Sequence, residues 1–276
     1  MKQKFLFLIV FIVLYESALS AQNNYTFSQF GSETVDFVKM PLQWDGDDYI
    51  KIGLIGTGAG LIMFADQQIR DAVLKDRSYY HSAAIELGRM YGEYYTPIVF
   101  FGGFASYSLI MHDITSRKIA YEIGQASLYS GGLTFLLKVS IGRARPYLDK
   151  GPGTYRPFSS IFNQDYHSIP GGHSTAAFAV STVLSRNVEP VWLKALCYVP
   201  PLFTMVSRVY QDQHWSSDNF LGAALGYFVA TWVVDKHEKA VATDTKETQH
   251  GLMDRIQFQP TLSGDCMGIN LSIPLL

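Results

Sequence analysis

Three short stretches hold residues whose types and spacing suit chemistry on a phosphate. In SIPGGHSTAAFA, residues 168–179, Pro170, Gly171 and Gly172 break the chain just before an alanine-rich run that favours helix. His173 then falls in the first helical turn, where backbone N–H groups lack intrahelical acceptors and the helix dipole favours an anion. Taken alone, the stretch reads equally well as a turn with a satisfied surface histidine.

The second stretch is KVSIGRARPY, residues 138–147. Lys138 and Arg145 lie seven residues apart, two helical turns, so both cations share a face, and Pro146 ends the helix nearby. A basic cap at a helix C-terminus is the competing reading. Arg143 beside them reads as facing solvent.

The third is SRVYQDQHWSSD, residues 207–218. His214 and Asp218 are four apart, so on a helix the carboxylate can reach one ring nitrogen and leave the other free to react. Arg208 sits six residues before His214, and a break around Gln211-Asp212-Gln213 is needed to bring both to one point. Together the stretches supply three cations (Lys138, Arg145, Arg208), backbone donors around Gly171 and Gly172, a nucleophilic imidazole with an orienting acid, and a second imidazole to protonate a leaving oxygen. Such a nest needs no metal and no cofactor. Asp165, Tyr166 and His167 read as solvated loop residues, and Trp215 either as pocket wall or as packed core.

In this order the motifs Lys138-x6-Arg145-Pro146, Pro170-Gly171-Gly172-His173 and Ser207-Arg208-x5-His214-x3-Asp218 resemble the signature of the type 2 phosphatidic acid phosphatase and vanadium haloperoxidase superfamily. The resemblance spans about residues 50–234. It implies an all-α helical bundle, a phosphohistidine on His214, orientation by Asp218, general acid catalysis by His173, and phosphate binding by Lys138, Arg145 and Arg208. One position departs: Gly171 stands where the family usually carries a serine whose hydroxyl donates to phosphate.

The elements that must position these residues follow from the apolar pattern. Residues 1–20, a basic start, an apolar run from Phe5 to Tyr15 and small residues at 18–20, read as a signal peptide, with an uncleaved anchor as the alternative. Residues 21–48 form a polar lead-in without sustained periodicity. Six helix-compatible stretches follow at 50–65, 97–111, 121–137, 175–184, 191–206 and 219–234, giving about six core helices in a domain over 49–236. Residues 237–250 read as a linker, and the alternation over 251–276 as a small β-hairpin.

Of the 276 residues 48% are hydrophobic and 17% charged, between the values usual for soluble and integral membrane proteins. A net charge of −2 excludes the basic face that nucleic acid requires. The two cysteines read as packed thiols. Most of the stretches are shorter than the roughly 20 residues a spanning helix needs, and six crossings after a signal peptide would put the site inside the cell. An exported protein of the periplasm or cell envelope, partly embedded in the membrane and facing outward, is expected. Its partner is a phosphorylated lipid or a small phosphate ester. The alternatives are a non-catalytic envelope protein that binds phosphorylated lipid and a vanadate-dependent haloperoxidase.

Overall fold

The computed structural model describes residues 25–158, 163–255, 257–263 and 266–272, with side chains described as far as Glu238. The expected signal peptide lies outside the described residues. The chain divides into two units: the first comprises the described residues through Val234, and the second those from Asp235 onward.

The regular elements of the first unit are helical. They are α1 (Phe27–Lys39), α2 (Gly46–Leu74), α3 (Ala83–Tyr91), α4 (Tyr95–Met111), α5 (Ile114–Ile141), α6 (Gly172–Arg186), α7 (Val191–Leu196), α8 (Val199–Tyr210) and α9 (Ser216–Arg255), the last extending beyond this unit. Local chemistry starts several of them. Asp45 accepts from the amides of Asp47 and Asp48 in a capping box at α2, and Asp113 accepts from Ser116 N at 2.7 Å to open α5.

The core lies where α5, α6 and α9 meet. Ile119, Ile123 and Ala126 pack with Ala179, Val180 and Val183 and with Val229, Ala230, Val233 and Val234, all buried. Phe100, Phe101 and Phe104 of α4 cover one side. Close approach of α6 and α9 depends on glycine: a β-carbon on Gly222 would run into the carbonyl of Gly171, and one on Gly226 into that of Thr175. These two glycines, four apart, therefore bring the first turn of α6 against the first turns of α9.

Three details differ from the sequence reading. The polar lead-in contains α1, whose Phe37 stacks on Tyr129 at 4.5 Å between ring centroids and whose Glu33 accepts from Gln125 Nε2 at 2.8 Å. A mixed aromatic and polar face hid its periodicity. The stretch 191–206 is split into α7 and α8, because Pro200 and Pro201 have no amide hydrogen to continue a helix and settle in the first turn of α8. The hairpin expected over 251–276 is not supported: it falls in the second unit, where side chains lie outside those described, and the architecture shown is helical.

Candidate active site

The three motifs converge at one end of the bundle. Lys138 sits in the last turn of α5. Gly142 ends that helix in the left-handed region (φ 64°) and donates back to Lys138 O at 2.9 Å. A side chain there would run into the carbonyl of Arg156, so glycine is required both for the turn and for the space. The chain leaves in a loop that carries Arg145, whose Nε donates to Gln164 O at 3.0 Å and whose Nη1 donates to Gln213 O at 3.2 Å. Lys138 Nζ donates to His167 O at 2.5 Å, beside Gly172.

Gly171 caps α6, and the Ile169–Pro170 peptide before it is cis. The amide of Gly171 donates to Asp218 O at 2.8 Å, which ties the start of α6 to the start of α9. The following amides lie in the first helical turn, open to an anion.

α8 ends at Tyr210, and Asp212 takes a left-handed conformation (φ 59°), so the chain doubles back. His214 N then donates to Arg208 O at 3.3 Å, and the break expected near Gln211 brings His214 and Arg208 to one place. Asp212 is gripped by Arg70 of α2, Nε to Oδ1 at 2.7 Å and Nη2 to Oδ2 at 2.8 Å. Arg208 Nη1 donates to Gln211 Oε1 at 2.8 Å, while its Nε is buried without a partner among the described residues.

The two imidazoles face each other, ring centroids 6.1 Å apart at 61°. His214 is 1% exposed, whereas the His173 side chain is 24% exposed and stands on the open side. Burial holds the His214 ring well below its usual pKa, helped by the charges of Arg145, Lys138, His173 and Arg208. His173 is depressed to about 3 by desolvation, then by Arg208, Arg145, Lys138 and Arg89. Both rings are therefore neutral at ordinary pH in the free protein. Glu93 Oε1 lies 3.5 Å from His173 Nε2 and accepts from Arg89 Nη1 at 2.8 Å.

Asp218 is fully buried, and burial raises its pKa against the pull of Arg143. Its Oδ2 lies 3.9 Å from His214 Nδ1, beyond hydrogen-bond range, and that nitrogen has no partner among the described residues. Oδ2 instead accepts from the Ser168 hydroxyl at 2.5 Å and from Trp215 N at 3.0 Å.

Arg143 does not face solvent. It is fully buried and bonded to Asp66 and Asp218, because the left-handed turn at Gly142 directs the chain inward. Tyr166 and His167 are buried as well, 3% and 6% exposed, since Tyr166 packs against Arg156 and His167 lies over Lys138; Asp165 alone of that trio is exposed. Trp215 is buried, and its Nε1 donates to Ala144 O at 2.9 Å. Sequence reasoning missed Asp66, Glu93, Ser168 and Ser217. For Asp66 one signal existed, an acid in an otherwise apolar helix.

A cluster of cations and helix amides around paired neutral imidazoles is an arrangement suited to holding an anion such as phosphate. Residues 122–242, which carry all three motifs, match the PAP2 superfamily. The chain is 33% identical over 110 residues to a lipid A 1-phosphatase of Porphyromonas gingivalis, covering 38% of this chain and 21% of that protein. It is 31% identical over 144 residues to a lipid A 1-phosphatase of Rhizobium johnstonii, covering 48% and 56%. A lipid A 1-phosphatase of Rhizobium etli is 31% identical over 140 residues, covering 47% and 57%. The matches thus span from about a fifth to just over half the length of these curated relatives. A solved transmembrane PAP2-type phosphatidylglycerolphosphate phosphatase from Bacillus subtilis aligns at 20% identity and a TM-score of 0.48, covering 69% of this chain and 94% of that one.

Proposed function

We propose that this protein is a metal-independent phosphatase that removes phosphate from a phosphorylated lipid through a phosphohistidine on His214. The observation that carries this reading is the single nest in which Lys138, Arg145, Arg208 and the α6 amides surround His173 and His214. His214 Nε2 attacks phosphorus, the bond to the leaving oxygen breaks, and His173 passes to that oxygen the proton that a monoanionic substrate brings. Water then attacks the phosphohistidine while His173 takes up its proton, and inorganic phosphate leaves. The cations neutralise the charge on the equatorial oxygens in both steps.

Lipid is favoured over a soluble ester by the outer surface. α2 is 29 residues long and apolar enough to cross a membrane. Leu54, Leu61 and Phe64 on it, Ile98, Val99 and Ile110 on α4, and Leu202 and Val206 on α8 are exposed. A surface so apolar suits contact with acyl chains. The names of the relatives make the 1-phosphate of lipid A the first candidate substrate. Export and an outward-facing site belong to the same proposal.

A second reading, a lipid-phosphate binder without turnover, draws support from the long His214–Asp218 separation and from Gly171. Both are tested by hydrolysis of a short-chain lipid phosphate and of a soluble chromogenic ester by the purified protein with chelator present. Turnover that vanishes in His214→Ala supports the phosphohistidine, and preference for the lipid supports the substrate class. Undiminished hydrolysis by that variant overturns the mechanism, and phosphate binding without turnover favours the binder.

A further inference from the structure

Along its 29 residues α2 buries only Ala59 and Asp66. Asp66 lies outside the segment that matches the PAP2 superfamily. Its carboxylate, 1% exposed, is spent on two partners from the active site. Arg143 Nη2 donates to Asp66 Oδ2 at 2.8 Å, and Ser217 N donates to Asp66 Oδ1 at 3.0 Å. The Ser217 hydroxyl donates to Asp66 Oδ2 and accepts from Arg143 Nη1 at 2.8 Å.

Arg143 therefore divides its fork between two carboxylates. Nη2 goes to Asp66, and Nη1 goes to Asp218 Oδ1 at 2.6 Å. Nε donates to Pro152 O at 2.9 Å, and the guanidinium carbon lies 5.5 Å from the Trp215 ring centre. An arginine facing one carboxylate forms a bidentate pair that neutralises it. Shared between two, it leaves one negative charge over, and it touches Asp218 only through Oδ1. Oδ2 stays on the side of His214.

We infer that Asp66, acting through Arg143, is a positioning residue for the nucleophile: it keeps Arg143 from closing bidentately on Asp218, so that the Asp218 carboxylate retains the charge and orientation that activate His214. This rests on the proposed phosphatase reading. It also makes α2 part of the catalytic apparatus, since the same helix holds the His214 turn through Arg70 and Asp212.

The test uses the full chain in detergent. Wild type, Asp66→Asn, Asp218→Asn, the double variant and His214→Ala are compared by kcat and KM on a chromogenic phosphate monoester and by vanadate affinity, which reads the same nucleophile without requiring turnover. Asp66→Asn is expected to lower kcat about 10- to 100-fold with KM within about threefold, and to weaken vanadate about tenfold or more. In the Asp218→Asn background the same change is expected to cost less than about threefold, because a residue acting through Asp218 has nothing left to act on. Equal losses in both backgrounds, or no loss in either measurement, overturn the inference. If Asp66→Asn does not fold, Ser217→Ala, which removes the hydroxyl linking Asp66 and Arg143, takes its place with the same non-additivity expected. A wild type that binds vanadate but does not hydrolyse the ester fails the phosphatase reading, and the vanadate comparison still decides the role of Asp66.

Discussion

Replacing Gly171 with serine would restore the residue usual in the superfamily, and the structure argues that it would not restore a phosphate contact. Gly171 has φ −67° and ψ 102°, which any residue adopts, so space and not backbone conformation decides the outcome. A β-carbon there would lie 2.8 Å from Asn219 Oδ1, 3.1 Å from Asp218 O and 3.2 Å from Asn219 Cα. The side chain would therefore push into the first turn of α9 and not toward the nest. Overpacking of this kind costs about 1–3 kcal/mol. For a domain of this size each kcal/mol moves Tm by about 2–4 °C, so a fall of about 2–12 °C is expected. A hydroxyl that did reach phosphate would contribute about 1.5–3 kcal/mol, equivalent to roughly a 10- to 150-fold gain in kcat/KM. Thermal unfolding of the purified protein beside kcat/KM on a lipid phosphate separates the two outcomes. A Gly171→Ser variant with unchanged Tm and kcat/KM raised tenfold would refute the packing argument.

Activity should also depend on pH in a defined direction. His173, held near 3 in the free protein, is neutral from about pH 4 upward and has no proton to give. The monoanionic substrate must then bring the proton, while its charge offsets the cations that depress His173, so kcat/KM should fall as pH rises through the second phosphate ionisation near about 6. A profile flat from pH 5 to 8 would contradict this. Gly222→Ala should lower thermal stability by several degrees and activity with it, because its β-carbon meets the Gly171 carbonyl where α6 and α9 touch; unfolding monitored by circular dichroism checks the first and ester hydrolysis the second.

The helical class and the converging motifs were legible because they depend on local spacing. Pro170 and the glycines start α6, and the need for a break near Gln211 follows from Arg208 standing on the wrong face for His214; Lys138 and Arg145 do meet, but α5 ends at Ile141, so Arg145 comes from the loop after Gly142 and not from a shared helix face. What stayed hidden depends on contacts between segments distant in sequence. Arg143 reads as a surface cation because nothing near it in the chain pairs with it; its partners lie 77 and 75 residues away, at Asp66 and Asp218. Gly171 reads as a lost donor until Asp218 and Asn219, from another helix, are seen to occupy the space a side chain would need. α1 reads as irregular because the face it buries mixes Phe30 and Phe37 with Glu33.

These hidden contacts share one physical cause. Around the apolar core several positions reverse the usual placement: Asp66, Glu122, Gln125, Arg143 and Asp218 are buried, while Phe64, Ile110, Leu128 and Leu136 are exposed. Sequence rules that send charge outward and apolar residues inward fail at those positions for the same reason. A buried charge is tolerable only when paired, so each one locates its partner across the fold, and the chain from Asp66 through Arg143 to Asp218 ends 3.9 Å from His214 Nδ1. If the apolar exterior is what a lipid surface covers, the polar interior is where the chemistry had to go, and α2 belongs to both: Phe64 on its outer face and Asp66 two residues on, in the active site.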